Sequence, residues 1–456
     1  MKAILYQWIK TNGVLLFNAG SLVATFAIKS GLGYAYWWVA ARQFSPEAVG
    51  VASAAISAMT LLGTFCMLGL GTLLIRELPR HSGQEVALIS AALLVVASLG
   101  GCIGLLFALG VPFLSDDLQP LRASGQAVAL FALGVGLATM NLVLDQVLIG
   151  LLRGDMQLWR NILFAGAKLA ALVATGFWLV QRGGMTILAT WILADALSFS
   201  ALAAFAAVRG KWTISKALPQ WGLVRKLGPS ALQHHLLNLL LIAPNLSLPA
   251  LATVLISATA NGWFYIAFLI ADVVYVVPQA LVTALYAISS AQPSVLARKI
   301  RLTMGMAVIT CVFANVFLLV GGHQLLGLFG PSYAQEGLWS LRLLGLGAFP
   351  FLLKDLYVAI SRIQDRIAKA LLPLAAGAVL EVGLAALGAC LGGLTGLSLG
   401  WDIAICIEAL LMAPTFYRIA VSDQAIADVR EHRARRLRKG SALARPLFRA
   451  TRRTAK

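Results

Sequence analysis

Residues 87–114 read ALISAALLVVASLGGCIGLLFALGVPFL, 28 consecutive positions without a charge. A helix of that length is more than long enough to cross a hydrocarbon core of roughly 30 Å. In lipid each segment must satisfy its own backbone polar groups, which selects helices. Eleven more stretches of this kind surround it. The first six spans are 13–40, 50–75, 87–114, 126–150, 160–180 and 185–208. The second six are 230–256, 262–288, 301–320, 338–360, 368–391 and 395–419. The expected fold class is therefore all-α, a polytopic membrane protein of about twelve helices.

Composition agrees. The chain is 60% hydrophobic and 12% charged, with a mean hydropathy of +0.85. A soluble domain of this length carries about twice as many charges. The opening MKAILYQWIK is not followed by a small-residue cleavage site, so an uncleaved first helix is expected.

Basic residues set the orientation. Lys2 and Lys10, Arg76 and Arg80, and Arg153 and Arg160 fall in alternate connections, followed by the basic segment 209–229. Arg298, Lys299, Arg301, Arg362, Arg366, Lys369 and the tail from Arg418 fall on the same side. The opposite side holds only Arg42, Arg122, Arg182 and Arg342. Both termini are expected in the cytosol, in the inner (cytoplasmic) membrane. The net charge of +18 follows from this asymmetry and implies no nucleic-acid partner.

Chemistry motifs are missing. The five cysteines (Cys66, Cys102, Cys311, Cys390, Cys406) lie inside spans at spacings that match neither a metal site nor a disulfide framework. There is no phosphate-binding glycine loop, no H-E-x-x-H and no G-x-S-x-G. No enzyme activity, metal or cofactor is expected. The longest exterior connection, 321–337, offers one His and one Glu.

The chain repeats itself. GYAYWWVAARQFSPEAVGVASAAISAMTLLGTF, in spans one and two, parallels LPALATVLISATANGWFYIAFLIADVVYVVPQ in spans seven and eight, with Gly50 opposite Gly262. GLLRGDMQLWRNILFAGAKLAAL parallels VAISRIQDRIAKALLPLAAGAVL, with Arg153 opposite Arg362. Six spans per repeat is an even number, so the halves share an orientation and an axis along the membrane normal relates them. The expected division is a six-helix lobe 1–208, a cytosolic linker 209–229, a second lobe 230–420 and a basic cytosolic tail 421–456. The linker carries Trp212 and Trp221 among its basic residues, which suits an anionic leaflet as well as plain retention on the positive side.

The run YWWVAARQFSPEAVGVASAAISAMTLLGTFCMLGLGTLLIRELPR (36–80) holds an S-x-E-x-x-G turn at Ser45, Glu47 and Gly50 and an R-x-L-P exit at Arg76 to Pro79. It resembles the opening of the polysaccharide-transporter branch of the multidrug/oligosaccharidyl-lipid/polysaccharide (MOP) flippase superfamily. ANGWFYIAFLIADVVYVVPQAL (260–281) is similar to that family's eighth span, and residues 329–362 to its stretch into span ten. Where many members carry an acid after span eight, this chain reads ALYAISSAQP. The resemblance implies a flippase for a lipid-linked oligosaccharide, with the lipid-linked glycan, membrane lipids and possible glycan-assembly enzymes as partners.

Ionisable groups inside a membrane mark functional sites or buried pairs. Lys29 in span one shares a helical face with Thr25, Phe26, Gly33 and Tyr36. Lys168 falls in the inner third of span five. Lys29, Lys168, Tyr36 and Asn18 are the substrate-binding candidates, because an embedded ammonium meets phosphate as a compact charge. The alternative is a buried pair, such as Lys168 with Asp145 or Lys29 with Asp195, whose rupture would unfold the bundle. Asp195, Asp272, Glu381 and Glu408 are candidates for proton or Na⁺ coupling. His234 and His235 sit near the interface, and Asn141, Asn238 and Asn245 suit interhelical hydrogen bonds.

Three functions are compatible with these residues. The first is a flippase or exporter of a lipid-linked oligosaccharide or polysaccharide precursor. The second is a drug or metabolite antiporter of the same superfamily, whose cationic substrates suit embedded lysines poorly. The third is a membrane glycan polymerase or ligase, which calls for a large outer loop absent here.

Overall fold

The computed structural model describes residues 28, 30–78, 83–110, 113–178, 183–208, 229–291, 296–364 and 366–421. Among these residues every regular element is helical. The first half contains α1 (30–43), α2 (Pro46–Cys66), α3 (Leu70–Glu77) and α4 (Glu85–Gly110). A 3₁₀ turn (Asp116–Leu121), α5 (Gly125–Gly150), α6 (Gly154–Trp178) and α7 (Gly184–Val208) follow. The second half contains α8 (Pro229–Leu255), α9 (Ala258–Ala291), α10 (Leu296–Gly327), α11 (Pro331–Glu336), α12 (Leu338–Leu346), α13 (Ala348–Ile363) and α14 (Ile367–Val421). Ten stretches among the described residues are long and apolar enough to cross a membrane. The chain is an all-α, multi-pass membrane protein.

Local chemistry sets the ends of these helices. Ser45 caps α2 by accepting from the Ala48 amide at 3.2 Å, with Pro46 at the first helical position and Glu47 in the first turn. The far end departs from expectation. Span two does not run unbroken from 50 to 75, because Leu68 (φ 48°) and Gly69 (φ 76°) take left-handed backbone between α2 and α3. An apolar side chain gives no warning of such a break, since Leu68 reads like any span residue.

Span three ends at Gly110 rather than 114. The 321–337 connection is also shorter than expected, because α10 runs on to Gly327 and α11 occupies Pro331–Glu336. In the other direction α14 contains two expected spans, 368–391 and 395–419. Gly392 (φ −144°) and Gly393 (φ 58°) turn the chain between them, and φ of that sign favours glycine. Asn245-Leu-Ser247, a glycosylation pattern by letters, lies within α8.

The chain groups into two compact units. One comprises Met1–Ala271, Leu318–Leu344 and Leu371–Ala404; the other comprises Asp272–Phe317, Gly345–Ala370 and Ile405–Lys456. In the first unit α3, α4 and α5 share a core that includes Leu70, Leu74, Leu88, Val96, Val143 and Val147. In the second, Val282 and Leu285 of α9 meet Ile300 and Ala307 of α10 and Leu356 and Ile360 of α13. Lipid is as apolar as these side chains, so close packing rather than transfer from water holds such helices together. In the first unit α2 and α9 approach closely where they cross. A Cβ added at Gly50 would overlap the carbonyl of Ala258, and one at Gly262 would overlap the carbonyl of Pro46. The two glycines that correspond in the sequence repeat thus meet in the fold.

Candidate functional site

A column of buried polar side chains runs between α5, α6 and α7 in the first unit. Asn141 and Asp145 are one turn apart on α5, and Arg160, Phe164 and Lys168 recur at four-residue spacing on α6, so each set shares a helical face. Trp191 and Asp195 do the same on α7. The Arg160 guanidinium donates from Nη1 to Oδ1 of Asn141 and from Nη2 to Oδ1 of Asp145, the latter at 2.7 Å. Asn141 donates from Nδ2 to Oδ1 of Asp195 at 2.7 Å. Asn161 donates to the same Asp145 oxygen at 3.3 Å and to the Gln157 carbonyl at 2.8 Å. Arg160 is only 3% exposed, and a charge buried to that degree requires such partners.

Two turns further along α6, or about 12 Å, the Lys168 ammonium lies in an aromatic cage. Its Nζ is 3.7 Å from the Trp191 ring centroid, 4.9 Å from that of Tyr36 and 5.0 Å from that of Phe164. Ring faces attract a cation, more so where water is excluded. Tyr36 is fixed in turn: its hydroxyl donates to the Ile187 carbonyl at 3.0 Å and lies 3.0 Å from Oγ1 of Thr190. Trp37 packs on Tyr265 with centroids 4.6 Å apart, which extends the aromatic layer to α9.

The substrate candidates Lys168 and Tyr36 therefore stand together. Because α6 begins at Gly154, Lys168 lies past the middle of its helix rather than in the inner third. Asp145 pairs with Arg160 and not with Lys168. Lys29 and Asn18 lie outside the described residues, as do the linker 209–228 and the tail from 422. Two members of the site escaped sequence reasoning. Arg160 was counted with the cytosolic basic residues, although its spacing to Lys168 gave the signal. Trp191 had no signal beyond its spacing to Asp195.

The remaining acids are separate. Asp195 belongs to the column. Glu381, 1% exposed, accepts from the Trp401 indole at 2.7 Å. Glu408 forms an ion pair with Lys354, Oε2 to Nζ 3.1 Å. Asp272 is exposed on α9, and Asp402 is buried on α14. His235 is buried, and His234 is half-buried. No cluster of three or more potential metal ligands occurs among the described residues.

The family model for "Polysaccharide biosynthesis protein" matches residues 15–292. Among solved structures, the chain is similar to an inward-facing multidrug resistance MATE family transporter of the MOP superfamily. The TM-score is 0.70 at 15% identity, covering 90% of this chain and 99% of that one. It is also similar to an outward-facing member, with TM-score 0.59, 14% identity, and 92% and 96% coverage. A third is a MOP superfamily transporter from Pyrococcus furiosus, described as having a binding pocket of reverse polarity that suggests a different function. There the TM-score is 0.59 at 14% identity, covering 91% of this chain and 96% of that one. No curated protein sequence matches the chain. Likeness at these identities shows the fold.

Proposed function

This chain belongs to the polysaccharide biosynthesis protein family, and on that premise we propose that it is a flippase of the MOP superfamily, with whose solved members it shares its fold. The cargo is a lipid-linked oligosaccharide or polysaccharide precursor, carried across the cytoplasmic membrane by alternating access. Both termini face the cytosol, and the working lobes are 1–208 and 230–420. No covalent bond is made or broken. Beside the family match, the observation that carries the reading is a buried cation set among aromatic rings, at Lys168, Tyr36 and Trp191. Rings offer flat apolar faces to sugars, and Lys168 offers a compact positive charge to a lipid phosphate. Lys29 and Asn18, outside the described residues, are proposed from the sequence as further contributors to cargo binding.

The column also suggests a means of coupling. Asp145, Asp195, Arg160 and Lys168 sum to zero charge when all are ionised. A proton on Asp195 leaves the column one unit positive, which favours an anionic cargo, and loss of that proton favours release. Two charges about 8 Å apart at an effective dielectric near 20 interact by roughly 2 kcal/mol, close to the size of an ordinary coupling between two sites. We therefore place coupling at Asp195, with exposed Asp272 as the second-half candidate. Glu381 and Glu408, each held by a partner, are braces.

The likeness to multidrug transporters favours a second reading, an antiporter for drugs or metabolites. One experiment separates the two. Purified protein in liposomes is given a lipid-linked oligosaccharide, and the fraction protected from an external glycan-modifying reagent is followed in time. The flippase reading expects protein-dependent loss of protection that Lys168→Met slows about tenfold or more at equal protein level. No movement of the lipid-linked glycan, together with proton-driven efflux of an organic cation, would establish the antiporter instead.

A further inference from the structure

We propose that the crossing of α2 and α9 is the exterior seal of the transport path, and that Asn261 and Asp117 are its latch. Four connections reach this place from both halves of the sequence: those before α2, around the 3₁₀ turn, before α9 and after α10. All four fall on the side poor in Lys and Arg. The inference rests on the orientation given under Proposed function, but not on the identity of the cargo.

The crossing is built by the repeat. Pro46 and Gly50 correspond to Ala258 and Gly262, and each glycine faces the backbone of the opposite helix so closely that no Cβ fits. Ser45 and Ser257 cap the two helices alike, accepting from Ala48 at 3.2 Å and Ala260 at 3.1 Å. Onto this symmetric frame the chain adds bonds that the repeat does not share. Asn261, where the first repeat has Val49, donates from Nδ2 to the Gly50 carbonyl at 2.8 Å and to Oγ of Ser53 at 3.0 Å. Asp117, from the 3₁₀ turn of the first half, accepts from the Ala258 amide at 2.9 Å. Its carboxylate thereby satisfies an open amide at the N-terminus of α9, where negative charge is favoured. At the rim, Trp38 and Arg42 both donate to the Leu328 carbonyl at 2.9 Å.

The latch is made to release. Asn261 is 0% exposed, yet its Oδ1 has no hydrogen-bond partner among the described residues. A buried acceptor left unmet is a cost of the closed state that hydration on opening removes. Backbone-to-backbone packing at two glycines leaves no side chains to disentangle when the helices part. Opening toward the exterior thus breaks a few specific bonds and exposes the α2 face of Gly50, Ser53 and Ser57, which recur at helical spacing.

The test reads accessibility rather than transport. Ser57, 5% exposed and about 10 Å along α2 from Gly50, is replaced by cysteine after the five native cysteines are removed. Its reaction with a membrane-impermeant maleimide added outside intact cells is then timed. Asn261→Val copies Val49 and removes both donor bonds; Asp117→Ala removes the cross-half cap from a half-buried turn, with little risk to the fold. The latch expects each substitution to raise the external labelling rate, by about tenfold for Asn261→Val. Unchanged labelling in both variants, at normal membrane levels, overturns it. Faster labelling in a protein that moves no lipid-linked glycan would refute the proposed cargo and leave the seal standing.

Discussion

Replacing Lys354 by Met should cost the protein much of its stability, and replacing Glu408 at the same time should restore it. The ion pair is dry: its side chains are 0% and 3% exposed, with Nζ to Oε2 at 3.1 Å. Removing one member strands the other charge, at about 3–5 kcal/mol. The native state is only about 5–15 kcal/mol more stable than the unfolded one, so roughly a fifth or more is at stake. With an unfolding entropy near 2 cal/mol/K per residue, the midpoint falls by roughly 3–5 °C for a chain of this length. Lys354→Met with Glu408→Leu replaces the pair by apolar side chains of similar volume, which is often neutral. The assay is a double-mutant cycle on detergent-solubilised protein, melted under tryptophan fluorescence, with lipid-linked glycan translocation measured in parallel. Coupling of about 2 kcal/mol or more, with transport recovered in the double variant, makes Glu408 a brace. Additive losses would refute the buried-pair argument. A double variant that is stable but inactive would return Glu408 to the coupling machinery.

Three further outcomes are expected. Lys29→Ala lowers glycan export more than it lowers the amount of protein in the membrane, since a charge removed from a span eases insertion; quantitative blotting beside export checks this, and loss of both in step removes Lys29 from the site. Reporter fusions after residues 120 and 260 read exterior and those after 215 and 430 read cytosolic, and any reversal refutes the orientation. Truncation at residue 440 leaves transport nearly intact while the isolated tail peptide binds anionic vesicles in a salt-sensitive way, at about 1 kcal/mol per basic residue near the surface; loss of transport at normal protein levels would make the tail part of the mechanism.

The spans were legible because twenty uncharged apolar residues have few alternatives in water or lipid. Their interruptions were not. Leu68 at a left-handed φ and the helical ends of the 321–337 connection depend on how the chain packs, and no letter announces them. The polar column was half legible. Lys168, Asp195 and Tyr36 stood out as costly groups within spans, but Arg160 was assigned to the cytosolic surface. A count of basic residues in connections cannot tell a hydrated arginine from one turned inward onto Asn141 and Asp145. Equally, Gly50 and Gly262 corresponded in the repeat without any indication that they touch, because sequence correspondence relates positions and not neighbours.

The repeat also bears on how embedded charge is handled. The offset that sets Arg153 opposite Arg362 sets Asp145 opposite Lys354. Each belongs to an ion pair within its span region, half-buried at Asp145 and fully buried at Lys354, and the signs are reversed: an acid on α5 with Arg160 of α6, a base on α13 with Glu408 of α14. Each half thus neutralises its own charge at this position, with a partner supplied by another of its own helices. In the proposed rocking of the two lobes, neither pair would have its opposite charges separated in a low dielectric, a step that would cost several kcal/mol. Asp195 accepts from the Asn141 amide, whose oxygen in turn accepts from Arg160, so a change of its charge reaches the Arg160–Asp145 pair, and this is the physical reason for proposing coupling there.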